Sequence, residues 1–467
     1  MAINRFFLSF FCGIFLASLG YARVLDEGSV VESALRFYPK IFMAEQKVRQ
    51  SEAKQEQAGG AFDAKLSANW QGITSGYYKD RAYFNTKIVK PFPVANLQLY
   101  GGYLQSINGD YPDWLAYQNT KSEGRALVGM EASLLRNFLI NEQQADMQLA
   151  HLDVAIAHYS QQLMEKQVVA DARKAFWKFT IAYRIQAVYQ DLLDRALARY
   201  TFLSKQVAQG DKPAIVLIEN NKSILRRRSQ LATAKRDSRL AALYLGLFYR
   251  DQEGNPISID TLLRTPCVTP NFDIKMPRVT QDIHIAQERR LDGMILKTLI
   301  QKSRVSIDLG KNDFLPDLNL KMEWASDYGT GSFTKDDPSG KMTLQFSVPI
   351  ENQKGRGKVF KAQSEKSMIE AEYGFLKTMI GNDLFAIANR MQEASILYAN
   401  ATEEVANGIT LVKAEKTRFE QGDSDLFLLN MREQDLATTQ EYWLKSQLML
   451  KECDIEYRFA AYDTLMR

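Results

Sequence analysis

Cysteine, histidine and proline are scarce in this chain, at 3, 3 and 12 of 467 residues. Three cysteines make no disulfide framework, and Cys12 falls inside the first apolar run. For the other two, Cys267 and Cys453, sequence gives no proximity, so ordinary thiols and a single bridge both stay open. The few histidines exclude the tight ligand clusters of a metal centre, since His151 and His158 are seven positions apart and His284 is remote from both. There is no glycine-rich phosphate loop and no nucleophile elbow, and the carboxylates fall in no catalytic pattern. The expectation is therefore no metal, no cofactor and no enzyme.

Charge of one sign is also lacking. A net charge of +4 gives no reason to expect a nucleic-acid partner. The one basic run, Arg226-Arg227-Arg228 with Lys235, Arg236 and Arg239, reads as the solvated outer face of a helix. Long hydrophobic runs are missing too: beyond the N-terminus no window holds 18 consecutive apolar residues. If this chain crosses a membrane, strands must do it, and backbone satisfaction then requires a closed barrel.

What is present begins with an export signal. Arg5 precedes an apolar stretch from Phe6 to Leu19, and Gly20-Tyr21-Ala22 sets small residues for cleavage after Ala22, so residues 1–22 read as a signal peptide, with an uncleaved anchor as the alternative. The rest reads as an internal duplication, 23–270 and 271–467, because anchors recur at offsets of about 210–250 residues. Leu66 to Trp70 is echoed by Leu315 to Trp324, Ser133-Leu134 by Pro349-Ile350, and Gln209-Gly210-Asp211 by Gln421-Gly422-Asp423.

Each repeat shows the same order. A first helix covers Ser29 to Gly59 or Val279 to Gly310, and a strand region follows. A very long helix comes next, Asn137 to Ala208 or Gly357 to Glu420, then a Gly-Asp turn and a shorter helix, Ala214 to Tyr249 or Leu426 to Tyr462. Heptad spacing of Leu217, Ile224 and Leu231, and of Val405, Val412 and Phe419, points to coiled-coil packing. Helices of about 65–70 residues span roughly 100 Å, which suits a packed tube and not a globular core. The two shorter helices of a repeat sum to nearly the long one, so they can stack end to end beside it.

Leu66 to Tyr77, Arg125 to Leu135, Leu318 to Tyr328 and Met342 to Ile350 have the length of tilted membrane strands. Four strands cannot enclose a channel, so several copies must share one barrel if these strands span lipid. The first repeat carries an additional hairpin, Tyr83 to Val89 and Leu97 to Ile107, with turn residues at Asn108-Gly109 and Tyr111-Pro112-Asp113. Sequence leaves open whether it enlarges the barrel, caps it or lengthens existing strands.

At this point the chain resembles the TolC-type outer-membrane efflux family. The resemblance is carried by Ala34-Leu35 with Tyr38-Pro39-Lys40-Ile41, by Phe314-Leu315-Pro316-Asp317-Leu318, and by Phe346-Ser347-Val348-Pro349-Ile350 with Lys354-Gly355-Arg356-Gly357 and Ala362. Phe419-Glu420-Gln421-Gly422-Asp423-Ser424 adds a hairpin tip, and the match runs from about Ser29 to Tyr462. It implies a mainly α homotrimer: four strands per copy in one twelve-stranded transmembrane β-barrel, continued by a coiled-coil α-barrel across the periplasm. Its partners would be outer-membrane lipid, a periplasmic adaptor (membrane fusion) protein and an inner-membrane pump of ABC, RND or MFS type. The function would be passive efflux or type I secretion. On residues alone a periplasmic coiled-coil scaffold with a small soluble sheet, and a periplasmic enzyme on a helical frame, stay as alternatives.

The resemblance also assigns the tip. Gly210, Asp211, Val216 and Leu217, with Gly422, Asp423, Ser424, Leu426 and Leu429, are expected at the periplasmic end as the docking surface, the glycines also serving as helix caps and the apolar residues alternatively as coiled-coil core. The family places acidic residues six and nine positions after the tip glycine. Those positions hold Val216 and Glu219, and Leu428 and Met431, which implies a mostly apolar entrance constriction able to gate by dewetting.

Overall fold

A computed structural model of the chain describes residues 25–74, 81–107, 120–258, 261–262, 276–330 and 338–462. The expected signal peptide, Cys12, Cys267, the turn residues Asn108 to Asp113 and the expected join of the repeats at 270–271 lie outside the described residues. The first half runs α1 (Glu27–Phe37), α2 (Pro39–Gly59), β1 (Lys65–Ile73), β2 (Arg81–Pro91), β3 (Gln98–Ile107), β4 (Gly124–Ser133), α3 (Glu142–Ala208) and α4 (Ile215–Gly246). The second runs α5 (Val279–Arg289), α6 (Leu291–Asn312), β5 (Asp317–Tyr328), β6 (Ser339–Ser347), α7 (Gln353–Gln421) and α8 (Leu426–Ala460).

The first helix of each half is two helices, not the single one expected. Tyr38 is extended (φ −74°, ψ 124°) because the residue before a proline avoids helical backbone, and Pro39 then starts α2, where its missing N–H costs nothing. In the second half Arg290 is extended (φ −60°, ψ 136°) without a proline, its guanidinium bonded to Asp292 at 2.7 Å. Helix α3 starts at Glu142 and not at Asn137. Asn141 accepts from the Gln144 N–H at 2.8 Å while Gln144 Oε1 accepts from the Asn141 N–H at 3.0 Å, a reciprocal capping box. Asn137 instead sits at φ +67° in the turn that leaves the sheet, as Asn352 does at φ +49° before α7.

The chain divides into two compact units that each draw on both halves. One comprises Met1–Tyr38, Val169–Lys275 and Met391–Ile455, the other Pro39–Val168, Met276–Arg390 and Glu456–Arg467. In the first, Tyr189, Leu192, Leu193 and Ala196 of α3 pack with Ile224, Leu231 and Ala234 of α4 and Ala437 of α8. Met391 and Ala394 meet Leu450 and Cys453 in a second cluster of that unit. In the second unit Ala286, Ile380, Leu384, Tyr457 and Ala460 form a core, and the Tyr457 hydroxyl donates to Asp282 at 2.8 Å.

The second unit also holds the sheet, six antiparallel strands in chain order from β1 to β6. The hairpin adds two strands to the four expected, each hydrogen-bonded to a neighbour on both sides. Where strands meet helices, four charges are drawn together. Arg136 bonds Asp313 at 3.0 Å and Asp317 at 3.1 Å, and Lys358 bonds Asp313 at 2.8 Å. Asp313 and Lys358 bring the end of α6 to the start of α7, and Arg136 ties both to the segment leaving β4.

Burial alone would raise the Asp313 pKa, but Lys358 and Arg136 outweigh it and hold the carboxyl below its ordinary value. A depressed carboxylate contributes stability that is full above the unfolded pKa near about 4 and is lost as pH falls through its own lower value. Asp313→Asn is expected to cost about 1–3 kcal/mol at neutral pH and to remove that part of the acid sensitivity. Thermal unfolding of both proteins from neutral pH to about pH 3 checks this, the two midpoints converging at the acid end.

Candidate functional site

Two regions carry candidate function, one in each unit. In the sheet, side chains alternate between faces as pleating demands. The register puts Leu66, Ile88, Gly101, Val128 and Trp324 in one row across five strands, and Met130, Met322 and Met342 in another row on the same face. The opposite face carries Asn85, Lys87, Tyr100, Glu131, Lys321 and Glu323.

Burial is inverted relative to a water-soluble protein. The apolar face is open, with Leu66 74%, Trp70 66% and Met342 69% exposed, while Tyr83 and Tyr100 on the polar face are 3% and 5% exposed. The polar face is knitted together: Tyr100 donates to Glu323 at 3.0 Å, Lys87 lies 3.9 Å from the Tyr100 ring, and Arg125 pairs with Asp327 at 2.7 Å. A sheet with its apolar side outward and its charges inward is solvated correctly by hydrocarbon outside and water inside. Strands of 9 to 12 residues match the thickness of a membrane core when tilted.

The helical unit carries both Gly-Asp turns. Gly210 and Gly422 each adopt φ +84°. In both, the Asp N–H reaches back to the final helical turn, Asp211 to Gln206 O and Asp423 to Arg418 O, each at 2.9 Å. The Gly N–H bonds Val207 O or Phe419 O, completing a Schellman cap. A Cβ would meet nothing within 4 Å at either glycine, so only the left-handed backbone requires Gly there.

The turns differ beyond that. At the second, Asp425 caps α8 by accepting from the Leu428 N–H at 2.7 Å, and the Ser424 hydroxyl donates to the buried Glu415 carboxylate. At the first, α4 starts from Ala214 with no side-chain cap, and Lys212 lies 5.4 Å from the Phe419 ring.

Of the residues expected at the tip, Leu426 and Leu429 are buried coil residues, Val216, Leu217 and Ser424 are half-buried, and Gly210, Asp211, Gly422 and Asp423 are exposed. Of the four expected at the constriction, Glu219 and Met431 share an open groove of about 590 Å³ between α4 and α8, with Phe427 and Arg226, whereas Val216 and Leu428 do not line it. The three histidines are exposed; His158 lies 4.0 Å from Glu52 and His284 3.9 Å from Glu288.

The solvated basic face was wrong at its centre. Arg226 and Arg228 are exposed, but Arg227 is 1% exposed. It donates to Leu192 O at 2.8 Å and pairs with Glu433 at 3.0 Å, while Arg199 bonds Asn430 at 2.7 Å and the same Glu433 carboxylate at 2.5 Å. Three helices are thus joined by two guanidiniums on one buried carboxylate. Burial pulls the Arg227 pKa down, and Glu433 opposes that pull. The signal was in the sequence: Arg227 falls on the 3–4 spaced stripe of Ile224, Leu231, Ala234 and Ser238, all buried.

With this geometry in hand, solved structures give a consistent answer. Similar chains include the CmeC outer membrane channel of Campylobacter jejuni, at 12% identity, covering 93% of this chain and 85% of that one, TM-score 0.67. The VceC outer membrane protein of Vibrio cholerae is 14% identical, with 93% and 95% covered and TM-score 0.67. The MtrE outer membrane channel of Neisseria gonorrhoeae is 12% identical, with 93% and 88% covered and TM-score 0.66. No sequence-family profile and no curated protein sequence matches the chain. The chain therefore has the fold of TolC-type outer-membrane channels, over nearly its whole length.

Glu433→Ala strands two guanidiniums, one of them fully buried, and is expected to cost about 3–5 kcal/mol. Replacing Arg199, Arg227 and Glu433 together by Leu, Met and Leu is expected to recover most of it, as denaturant midpoints of the variants will read out. Gly210→Val or Gly422→Val is expected to lose about 1–2 kcal/mol through backbone strain alone, with Asn at the same position losing clearly less. Equal losses for Val and Asn in thermal melts would mean that the left-handed backbone is not what those positions require.

Proposed function

We propose that this protein is a passive, non-enzymatic exit duct of the outer membrane, built as a homotrimer and serving an efflux or type I secretion system. The single observation that carries this reading is the inverted sheet. An exposed apolar face backed by a half-buried face that carries Lys87, Lys321 and Glu323 is solvated well where lipid meets one side and water the other. A scaffold with a small soluble sheet would pack its apolar face inward, so the alternative reading has no support from the sheet.

Three further observations support it. Among the described residues no helix is long and apolar enough to cross a membrane, which leaves spanning to the strands. Among the described residues β1 and β6 each have a neighbour on one side only, so a closed channel needs more than one copy. The fold is shared with channels over more than 90% of the chain. On this reading 1–22 is a cleaved export signal, 23–270 and 271–467 are duplicated halves, and the Gly210 and Gly422 turns face a periplasmic adaptor and, through it, an inner-membrane pump. Exposed Ile215, Ile218 and Phe427 beside those turns offer apolar contact for such a partner.

Disrupting the gene is expected to sensitise the host to an exported compound or to abolish secretion of one protein. Fractionation is expected to place the protein in the outer membrane as a species of three copies that resists unheated SDS. Recovery in the soluble periplasmic fraction would end the duct reading.

A further inference from the structure

The hairpin β2–β3 is the feature that the duct reading does not absorb. Four strands per copy suffice for a twelve-stranded barrel, and this chain has six. We propose that the hairpin is part of the membrane wall, and that β1 of one copy pairs with β6 of the next to close a barrel of eighteen strands. The proposal rests on the trimeric duct reading for its copy number.

Four observations place the hairpin in the wall. First, it is laddered into the middle of the sheet: nine residue pairs join β1 to β2, ten join β2 to β3 and seven join β3 to β4. β1 and β4 do not pair, so removing the hairpin from the wall would leave a gap between them. Second, the hairpin obeys the same alternation. Phe84, Ile88 and Leu99 are exposed on the apolar side, while Tyr83, Asn85 and Lys87 share the polar side with Tyr100.

Third, its length is right: 11 and 10 residues against 9 to 12 for the other strands. Fourth, its returning turn is fixed. Phe92 N–H donates to Leu97 O at 2.7 Å and Ser133 N–H to Ala95 O at 3.0 Å. The Gln144 side chain at the start of α3 donates to Pro93 O, and Lys90 Nζ donates to Phe62 O at 2.7 Å. A hairpin tied down at the helix end of the sheet cannot fold across the opposite mouth.

The edges decide the closure. Half the backbone groups of β1 and of β6 point away from the sheet, and each left unpaired in hydrocarbon costs several kcal/mol. Only another strand edge satisfies such a row. Six antiparallel strands also mean that β1 and β6 run in opposite directions, so every junction between copies is antiparallel and the apolar face stays outside all round. At equal strand tilt, barrel width scales with strand number, so the lumen is about 1.5 times as wide as that of a twelve-stranded barrel. The hairpin adds Asn85, Lys87 and Tyr100 to its lining.

The test uses the full-length protein with its own cysteines replaced by alanine, reconstituted into phosphatidylcholine vesicles with and without brominated acyl chains. Single cysteines at Phe84, Ile88 and Leu99, at Leu344 as the reference on β6, and at Asn85 on the polar face are labelled with a fluorophore. The proposal expects brominated lipid to quench labels at 84, 88 and 99 to the depth seen at 344, with no loss at 85. Quenching at 344 but not at 84, 88 and 99 overturns the wall assignment and leaves the duct reading standing. No quenching at 344 either removes both. Paired cysteines scanned along β1 and β6, oxidised in the vesicles, are expected to give a disulfide ladder ending at three copies. A ladder ending elsewhere, or bonds within single chains only, overturns the eighteen-stranded closure.

Discussion

On the proposed duct reading, the rest of this structure depends on how a backbone satisfies its hydrogen bonds where there is no water. A helix does so internally and a sheet does so only by closing on itself. Among the described residues no helix is long and apolar enough to cross a membrane, and the sheet has two open edges. The side chains agree: Trp324, Leu344 and Phe346 lie on the exposed apolar face, and Lys321, Glu323 and Asp327 on the opposite one. Inverted burial and open edges are two expressions of one constraint, and on the duct reading they make a single copy incomplete.

The helical parts meet a different problem, since helices of 67 and 69 residues cannot be held by local preference alone. The chain uses buried stripes of small and aliphatic residues, interrupted by a few polar joints. The Arg199–Arg227–Glu433 knot joins α3, α4 and α8, and the Arg136–Asp313–Asp317–Lys358 cluster joins the sheet to α6 and α7. Joints of this kind add less stability than an apolar core of equal volume, but removing one partner leaves a buried charge unpaired. At the Gly-Asp turns the conformation is set by backbone handedness, with no crowding behind it.

Much of this was legible in the sequence, and what was not has physical causes. Strands announced themselves by alternation, as in Phe84, Thr86 and Ile88, and the turns by Gly210 and Gly422, which only a left-handed cap demands. The break at Tyr38 was readable from Pro39, whereas the equivalent break at Arg290 has no proline and rests on a side-chain bond to Asp292. The sequence places the start of the long helix at Asn137, and the reciprocal bond between Asn141 and Gln144 moves it to Glu142. Alternation gives a strand its faces but not its neighbours, so the place of the hairpin between β1 and β4 came only with the fold. Arg227 was misread because its neighbours in sequence are charged, whereas its neighbours on the helix are Ile224 and Leu231.

The central claim is that the apolar face of the sheet meets lipid and its polar face meets water, with the wall completed by other copies. The most direct measurement is a cryo-EM reconstruction of the full-length protein in a lipid nanodisc. The account predicts a closed ring of strands inside the lipid belt, with Trp324 and Leu344 against acyl chains, Lys321 and Glu323 on a water-filled lumen, and β1 of each copy beside β6 of its neighbour. A single copy whose β1 and β6 pair with each other, with those residues turned away from lipid, would contradict it.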